Sequence, residues 1–208
     1  MKKSKSSGRW LKEHFDDVYV KKAQAEGYRS RAVYKLLEIQ EKDKILKPGM
    51  AVVDLGAAPG GWMQIAKKYL GSKGTIIGLD LLEIEPIDGT IFIQGDFTSD
   101  EVYQQLTDML AGRQVDVVMS DMAPNMSGIR VADQAKSIYL VELALDFAKT
   151  HLVEGGTFLA KVFQGEGFED LLKDCKTHFK TVKMRKPDAS RDRSSEMYLL
   201  AQGKLPIN

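Results

Sequence analysis

The chain has 208 residues, 43% of them hydrophobic and 28% charged, which suits one domain spanning 1–208 with a substantial core. No apolar run reaches membrane length and no signal-peptide pattern opens the chain. Cys175 is the single cysteine, so an internal disulfide is excluded and a cytoplasmic location fits. The net charge of +1 conceals an uneven distribution: residues 1–49 hold thirteen Lys/Arg against seven Asp/Glu, residues 176–196 seven against three, and the remainder ten against nineteen.

Residues 1–8, rich in Lys and Ser, read as a flexible basic arm. Two basic segments around an acidic middle suit a nucleic-acid backbone. Lys2, Lys3, Lys5, Arg9, Arg29, Arg31 and the basic run 180–193 are therefore expected to touch phosphates rather than read bases. Lys35 follows on a helix with Val33, Leu36 and Leu37, where by itself it is an ordinary solvated lysine. Next comes MAVVDLGAAPGGW, residues 50–62. A short β-branched run ends at Asp54, Gly56, Gly60 and Gly61 form a turn, and an amphipathic helix begins at Trp62. Strand, glycine turn and helix start are the parts of a nucleotide-type cofactor cradle. The turn lacks the Gly-x-Gly start of a dinucleotide site, which counts against a nicotinamide dehydrogenase, and no Gly-Lys-Ser/Thr of a P-loop follows. A nucleoside with an uncharged tail fits better, which points to S-adenosyl-L-methionine.

Further apolar runs predict strands at 75–80, 90–94, 115–120 and 157–163, with helices over 99–111, 132–153 and 166–175 between them. Gly155-Gly156 is expected to end the long helix. Cys175 falls within the last helical pattern and reads as structural. The final runs, 180–185 and 197–201, are expected to pair antiparallel at the sheet edge. This alternation implies an α/β fold with a mostly parallel, doubly wound sheet that binds ligands at the carboxyl ends of its strands. Asp54, Asp80, Asp96 and Asp121 each close a predicted strand, so the fold would gather them around one cleft. Asp80, twenty-four residues after Gly56, is placed to take ribose hydroxyls, and Asp96 to accept an adenine amino group. His14, His151 and His178 lack ligand spacing, so no metal is expected.

The methyl acceptor is harder to read. Residues 120–125, SDMAPN, lack the paired proline and aromatic of adenine-amino methyltransferases, and no cysteine is placed to attack a pyrimidine. Lys161, inside the apolar run TFLAKVF, is expensive to bury unless it reaches the cleft or a partner. Glu196, opening the final strand after Arg191 and Arg193, would alone be a salt-bridge partner.

Lys35, Asp121, Lys161 and Glu196 stand in the order of the Lys-Asp-Lys-Glu tetrad of RNA 2′-O-ribose methyltransferases. The segments SRAVYKL, VVDLGAAPGGW, GDF, VVMSDMAPNMSG, AKVFQGEGF and RKPDASRDRSSEMY closely resemble the FtsJ/RrmJ family over nearly the whole chain. That resemblance implies a Rossmann-like methyltransferase sheet of seven strands with one antiparallel strand at its edge. It also implies S-adenosyl-L-methionine as methyl donor and, as acceptor, a uridine ribose of 23S ribosomal RNA in the assembled large subunit. It makes Lys161 the proton acceptor, with Asp121, Lys35 and Glu196 beside it; Gly56, Gly60, Gly61, Trp62, Asp80, Asp96 and Asp121 line the cofactor site. A lysine must be neutral to act as a base. Burial and the like charge of Lys35 favour that form, whereas the Asp121 carboxylate favours the charged one. A monomer is expected. The competing reading is an RNA-binding ribosome-assembly factor that kept the fold and lost turnover.

Overall fold

The structure, a computed structural model, describes residues 17–190 and 194–206. The basic arm 1–8 with Lys2, Lys3 and Lys5, as well as Arg9, Arg191 and Arg193, lies outside the described residues. In chain order the elements are α1 (Val18–Ala25), α2 (Val33–Asp43), β1 (Ala51–Leu55), α3 (Gly61–Leu70), β2 (Thr75–Asp80) and β3 (Ile91–Gln94). They continue with α4 (Asp100–Leu110), β4 (Val115–Ser120), α5 (Arg130–His151), β5 (Leu152–Phe163), α6 (Phe168–His178), β6 (Phe179–Arg185) and β7 (Glu196–Lys204). The strands form one sheet in the order β3-β2-β1-β4-β5-β7-β6. The first five are mutually parallel along that order, and β7 runs antiparallel to both β5 and β6. The antiparallel pair therefore closes one side of the sheet, with the reversed strand inboard of β6.

Alternation along each strand sends its side chains to two separate cores. Val53 and Leu55 of β1, Phe158 and Ala160 of β5 and Leu199 of β7 pack with Leu106 of α4, Phe147 of α5 and Cys175 of α6. Val52, Met119, Leu159, Tyr198 and Leu200 face the other way and meet Leu36 and Ile39 of α2 and Trp62, Met63 and Ile65 of α3. Sheets covered on both faces need continuous apolar strands, which is why runs such as VDVVMS carry so little polarity. By the same alternation, Asp54 shares the face of Val52, and Lys161 that of Leu159. Both acidic and basic groups thus point toward α2 and α3.

Two boundaries differ from the sequence expectation. The strand opening the glycine turn runs on through Asp54 to Leu55, so Asp54 is a strand residue and fully buried. The long helix ends at His151, and Gly155-Gly156 lies inside β5. There the register against β4 slips between the pairs Val115–Leu152 and Val117–Thr157, and Gly155 at φ 81° accommodates the irregularity. Helix starts are specified locally: Ser99 accepts from the Val102 N–H at 3.2 Å, and Asp100 and Glu101 occupy the first turn of α4. Among the described residues no helix is long and apolar enough to cross a membrane.

Candidate active site

The sheet order reverses between β1 and β4, and the chain leaves both strands at their carboxyl ends. The segment after β4 is tied back there by the Asp121 N–H, which donates to Leu55 O at 3.0 Å. In the β5–β7 ladder Lys161 stands directly opposite Tyr198. Lys161 Nζ donates to Asp121 O at 2.7 Å and lies 3.3 Å from Asp121 Oδ1, while the Tyr198 hydroxyl donates to the same Oδ1 at 2.9 Å. Lys35, from α2, forms an ion pair with Glu196 at the start of β7. Its Nζ also lies 5.8 Å from the centre of the Tyr198 ring. The fold thus brings all four tetrad residues together as two ion pairs joined by Tyr198. The side chains of Lys35 and Glu196 are each 13% exposed and that of Lys161 is 10% exposed, so these groups are largely withdrawn from solvent.

Local electrostatics follow from that burial. Burial alone would raise the Glu196 carboxyl, but Lys35, then Lys161 and the Ser190 hydroxyl, outweigh it and hold it below its ordinary value. Tyr198 is pushed well above the ordinary phenol range by burial first and by the carboxylates of Asp121 and Glu196 next. It therefore stays protonated and remains a donor to Asp121. Trp62 backs this phenol at 5.7 Å between ring centres, and its Nε1–H is satisfied by Ala32 O at 2.9 Å.

On the other side of Asp121 lies the glycine turn. Gly56 and Gly60 adopt φ 79° and 102°, conformations that L side chains avoid. A Cβ on Gly56 would fall 2.8 Å from Met122 N, one on Gly60 2.9 Å from the Arg29 guanidinium, and one on Gly61 2.9 Å from Ser30 Oγ. Protein, rather than open space, takes up each missing side chain, so the glycines serve to pack the turn between its neighbours. Asp80 supports the turn from β2: its carboxylate accepts from the Ala58 N–H and the Leu82 N–H, each at 2.9 Å. Asp54 lies fully buried in β1, and neither of its oxygens has a hydrogen-bond partner among the described residues. Burial, with Asp121 and Asp80 nearby, pushes its carboxyl well above the usual range. Asp96 stands apart from these contacts; it is exposed and bonds the Thr98 amide and hydroxyl.

Arg29 and Arg31, both partly buried, bond the protein itself. Arg29 donates to the carbonyls of Pro59, Glu85 and Pro86, clamping the glycine turn to the segment after β2. Arg31 bonds Asp17 and the Ala189 carbonyl. Glu38, one turn beyond Lys35 on α2, accepts from the Asp188 and Ala189 N–H groups at 2.6 and 2.9 Å. These bonds fasten the β6–β7 loop to the helix that carries Lys35. Lys180 and Lys183 of β6 remain exposed. Composition and spacing single out neither Tyr198 nor Glu38. The one available signal for Tyr198 was its place two residues beyond Glu196, on the same face of the strand.

Among the described residues, no group of three or more His, Cys, Asp or Glu is arranged to hold a metal ion. The sequence profile of FtsJ-like methyltransferases matches residues 28–204. A Pseudomonas aeruginosa protein named ribosomal RNA large subunit methyltransferase E is 60% identical over 203 residues, 98% of each chain. A Chromohalobacter salexigens protein of the same name is 60% identical over 200 residues, 96% of this chain and 95% of the relative. Among solved structures, a Plasmodium falciparum chain described by name as a ribosomal RNA methyltransferase superposes with a TM-score of 0.76 at 31% identity, covering 86% of this chain and 99% of that one. With its sheet order, its glycine turn and its paired Lys-Glu and Lys-Asp side chains, the chain belongs to the FtsJ-like methyltransferase family.

Proposed function

We propose that this methyltransferase moves a methyl group from S-adenosyl-L-methionine to the 2′-hydroxyl of a uridine ribose in large-subunit (23S) ribosomal RNA, with the assembled subunit as substrate. Relatives 60% identical over nearly their whole length carry the name ribosomal RNA large subunit methyltransferase E. The observation that carries the reading is the meeting of Lys35–Glu196 and Lys161–Asp121 beside the glycine turn, at the carboxyl ends of β1, β4 and β5.

The residues present fit the donor. The turn Gly56–Trp62 is assigned the body of the donor, Asp80, whose carboxylate accepts from the Ala58 and Leu82 amides, is assigned its ribose hydroxyls, and Asp54 offers an unanswered carboxyl. Asp96, exposed beyond β3, is assigned the adenine amino group. When bound, the donor supplies a methyl carbon already activated by its sulfonium. The protein must then place the ribose oxygen in line and take its proton. Lys161 Nζ is held beside Asp121, donating to its backbone O and lying 3.3 Å from Oδ1, and in this reading it is the group that accepts the hydroxyl proton. Tyr198 fixes Asp121 Oδ1, so the acid cannot swing away from Lys161. Lys35, its charge balanced by Glu196, orients the ribose. Lys180 and Lys183, exposed on β6, contribute charge toward phosphates together with Arg29 and Arg31, whose guanidinium groups also bond the protein.

The test is transfer of a labelled methyl group to large subunits that lack the modification, followed by alkaline hydrolysis of the RNA. A 2′-O-methyl group blocks cleavage at its own nucleotide, so the label should remain in one dinucleotide. Label in mononucleotides, which marks base methylation, would refute the ribose assignment. RNA binding without any transfer would favour the assembly factor instead.

A further inference from the structure

Asp54 is out of place by the ordinary rules of burial. Its strand neighbours are Val52, Val53 and Leu55, all within the core, and its register partners are Gly78 of β2 and Met119 of β4. A carboxylate in such surroundings needs a partner, and among the described residues neither oxygen has one. The ionisable groups that act on it are Asp80, at the end of β2, and Asp121, after β4, both acids that oppose its ionisation. The nearby lysines are already engaged: Lys161 with Asp121 and Lys35 with Glu196. Nothing within the described protein answers a charge on Asp54. It does lie in the strand that feeds the glycine turn, on the face of α3, where the proposed cofactor would bring positive charge.

We infer that Asp54 is a neutral acid in the cofactor-free protein and loses its proton to solvent when the cationic methionyl end of the donor binds, becoming that cation's counter-charge. The inference rests on the cofactor reading above. The carboxyl O–H bond breaks and the proton passes to buffer; the carboxylate left behind offsets the cofactor's positive charge, and the released proton carries the charge that balances the step. Cofactor binding is thereby linked to pH: where Asp54 is protonated in the free protein, affinity should rise up to about tenfold per pH unit.

Titration calorimetry with S-adenosyl-L-methionine, run in two buffers of different ionisation heat from about pH 5 to about pH 8, counts the released proton. Wild type should release close to one proton per cofactor over part of that range. Asp54→Asn, close in shape to the neutral acid, should bind more weakly, release none and show a flat pH dependence. Difference infrared spectra should lose a protonated-carboxyl band on cofactor addition in wild type only. The demethylated product, which keeps the α-ammonium but lacks the sulfonium charge, separates the two cations. Equal release assigns the ammonium and absent release the sulfonium. Binding without proton release at any pH in wild type, or the same release in Asp54→Asn, would overturn the inference. An absence of binding in wild type would instead remove the cofactor reading and this inference with it.

Discussion

Replacing Gly56 by alanine separates two demands on the glycine turn. The residue sits at φ 79°, where an L side chain costs about 1–2 kcal/mol. Its new Cβ would lie 2.8 Å from Met122 N and 2.9 Å from both Met122 Cα and Cγ. Met122 cannot simply yield, because the preceding residue is tied to β1 by the Asp121 N–H to Leu55 O bond. Overpacking against such a neighbour costs about 1–3 kcal/mol. The two terms give about 2–5 kcal/mol, and for a chain of this size that lowers the melting midpoint by about 4–20 °C. Gly49→Ala is the control: φ is 80°, but nothing lies within 4 Å of the added carbon, so only the backbone cost of about 1–2 kcal/mol applies. Calorimetric or circular-dichroism melts of the two variants isolate the contact with Met122. Single-turnover methylation then asks whether moving Met122 disturbs the adjacent Asp121. A Gly56→Ala protein that melts with Gly49→Ala and keeps the wild-type rate would refute the reasoning.

Three other outcomes are expected. Asp80→Ala should weaken S-adenosyl-L-methionine binding by about one to two decades, the loss of a hydrogen bond to a charged group, and leave RNA affinity unchanged; calorimetry showing normal cofactor affinity in both Asp80→Ala and Asp96→Ala would reject this placement of the adenosine. Tyr198→Phe removes the donor to Asp121 Oδ1 while keeping the ring against Trp62, so single-turnover rate should fall with little change in cofactor affinity, and an unchanged rate would deny the positioning role. Asp43 is held below its ordinary value chiefly by the forked bonds from Arg185, at 2.6 and 2.8 Å. A depressed carboxyl stabilises fully above its unfolded value near about pH 4 and loses that contribution as pH falls through the folded one. Arg185→Met should therefore cost about 1–3 kcal/mol at neutral pH, and denaturant titrations should show the gap to wild type closing in acid; a gap constant down to about pH 2 would contradict this.

What the sequence discloses depends on how local the cause is. The parallel strands could be read from their apolar runs because burial on both faces leaves no room for polar alternation, as VDVVMS at β4 illustrates. Lys161 was conspicuous for the same reason, a charge where burial forbids one. Asp80 and Asp121 were legible because strand ends lie together in a doubly wound sheet. Asp96 follows the same sequence rule, and one of its oxygens, Oδ1, accepts from the Thr98 amide and hydroxyl. Tyr198 was hidden because its role depends on the antiparallel register that sets it opposite Lys161, a pairing across thirty-seven residues of chain. Arg29 and Arg31 looked like phosphate ligands by charge alone. Their engagement with the carbonyls of Pro59, Glu85, Pro86 and Ala189 is fixed only when distant loops meet. Gly155-Gly156 suggested a helix end because glycine marks both helix stops and strand irregularities, and spacing does not choose between them.

The measurement that bears most directly on the proposed chemistry compares wild type, Lys161→Ala and Lys161→Arg in single-turnover methylation of unmodified large subunits, with cofactor affinity measured alongside. Arginine keeps the positive charge and most of the reach but does not give up its proton in a protein. If Lys161 accepts the hydroxyl proton, both variants should bind S-adenosyl-L-methionine like wild type and lose nearly all transfer. A Lys161→Arg enzyme that retains most of the wild-type rate would contradict the account and leave Lys161 as an orienting cation.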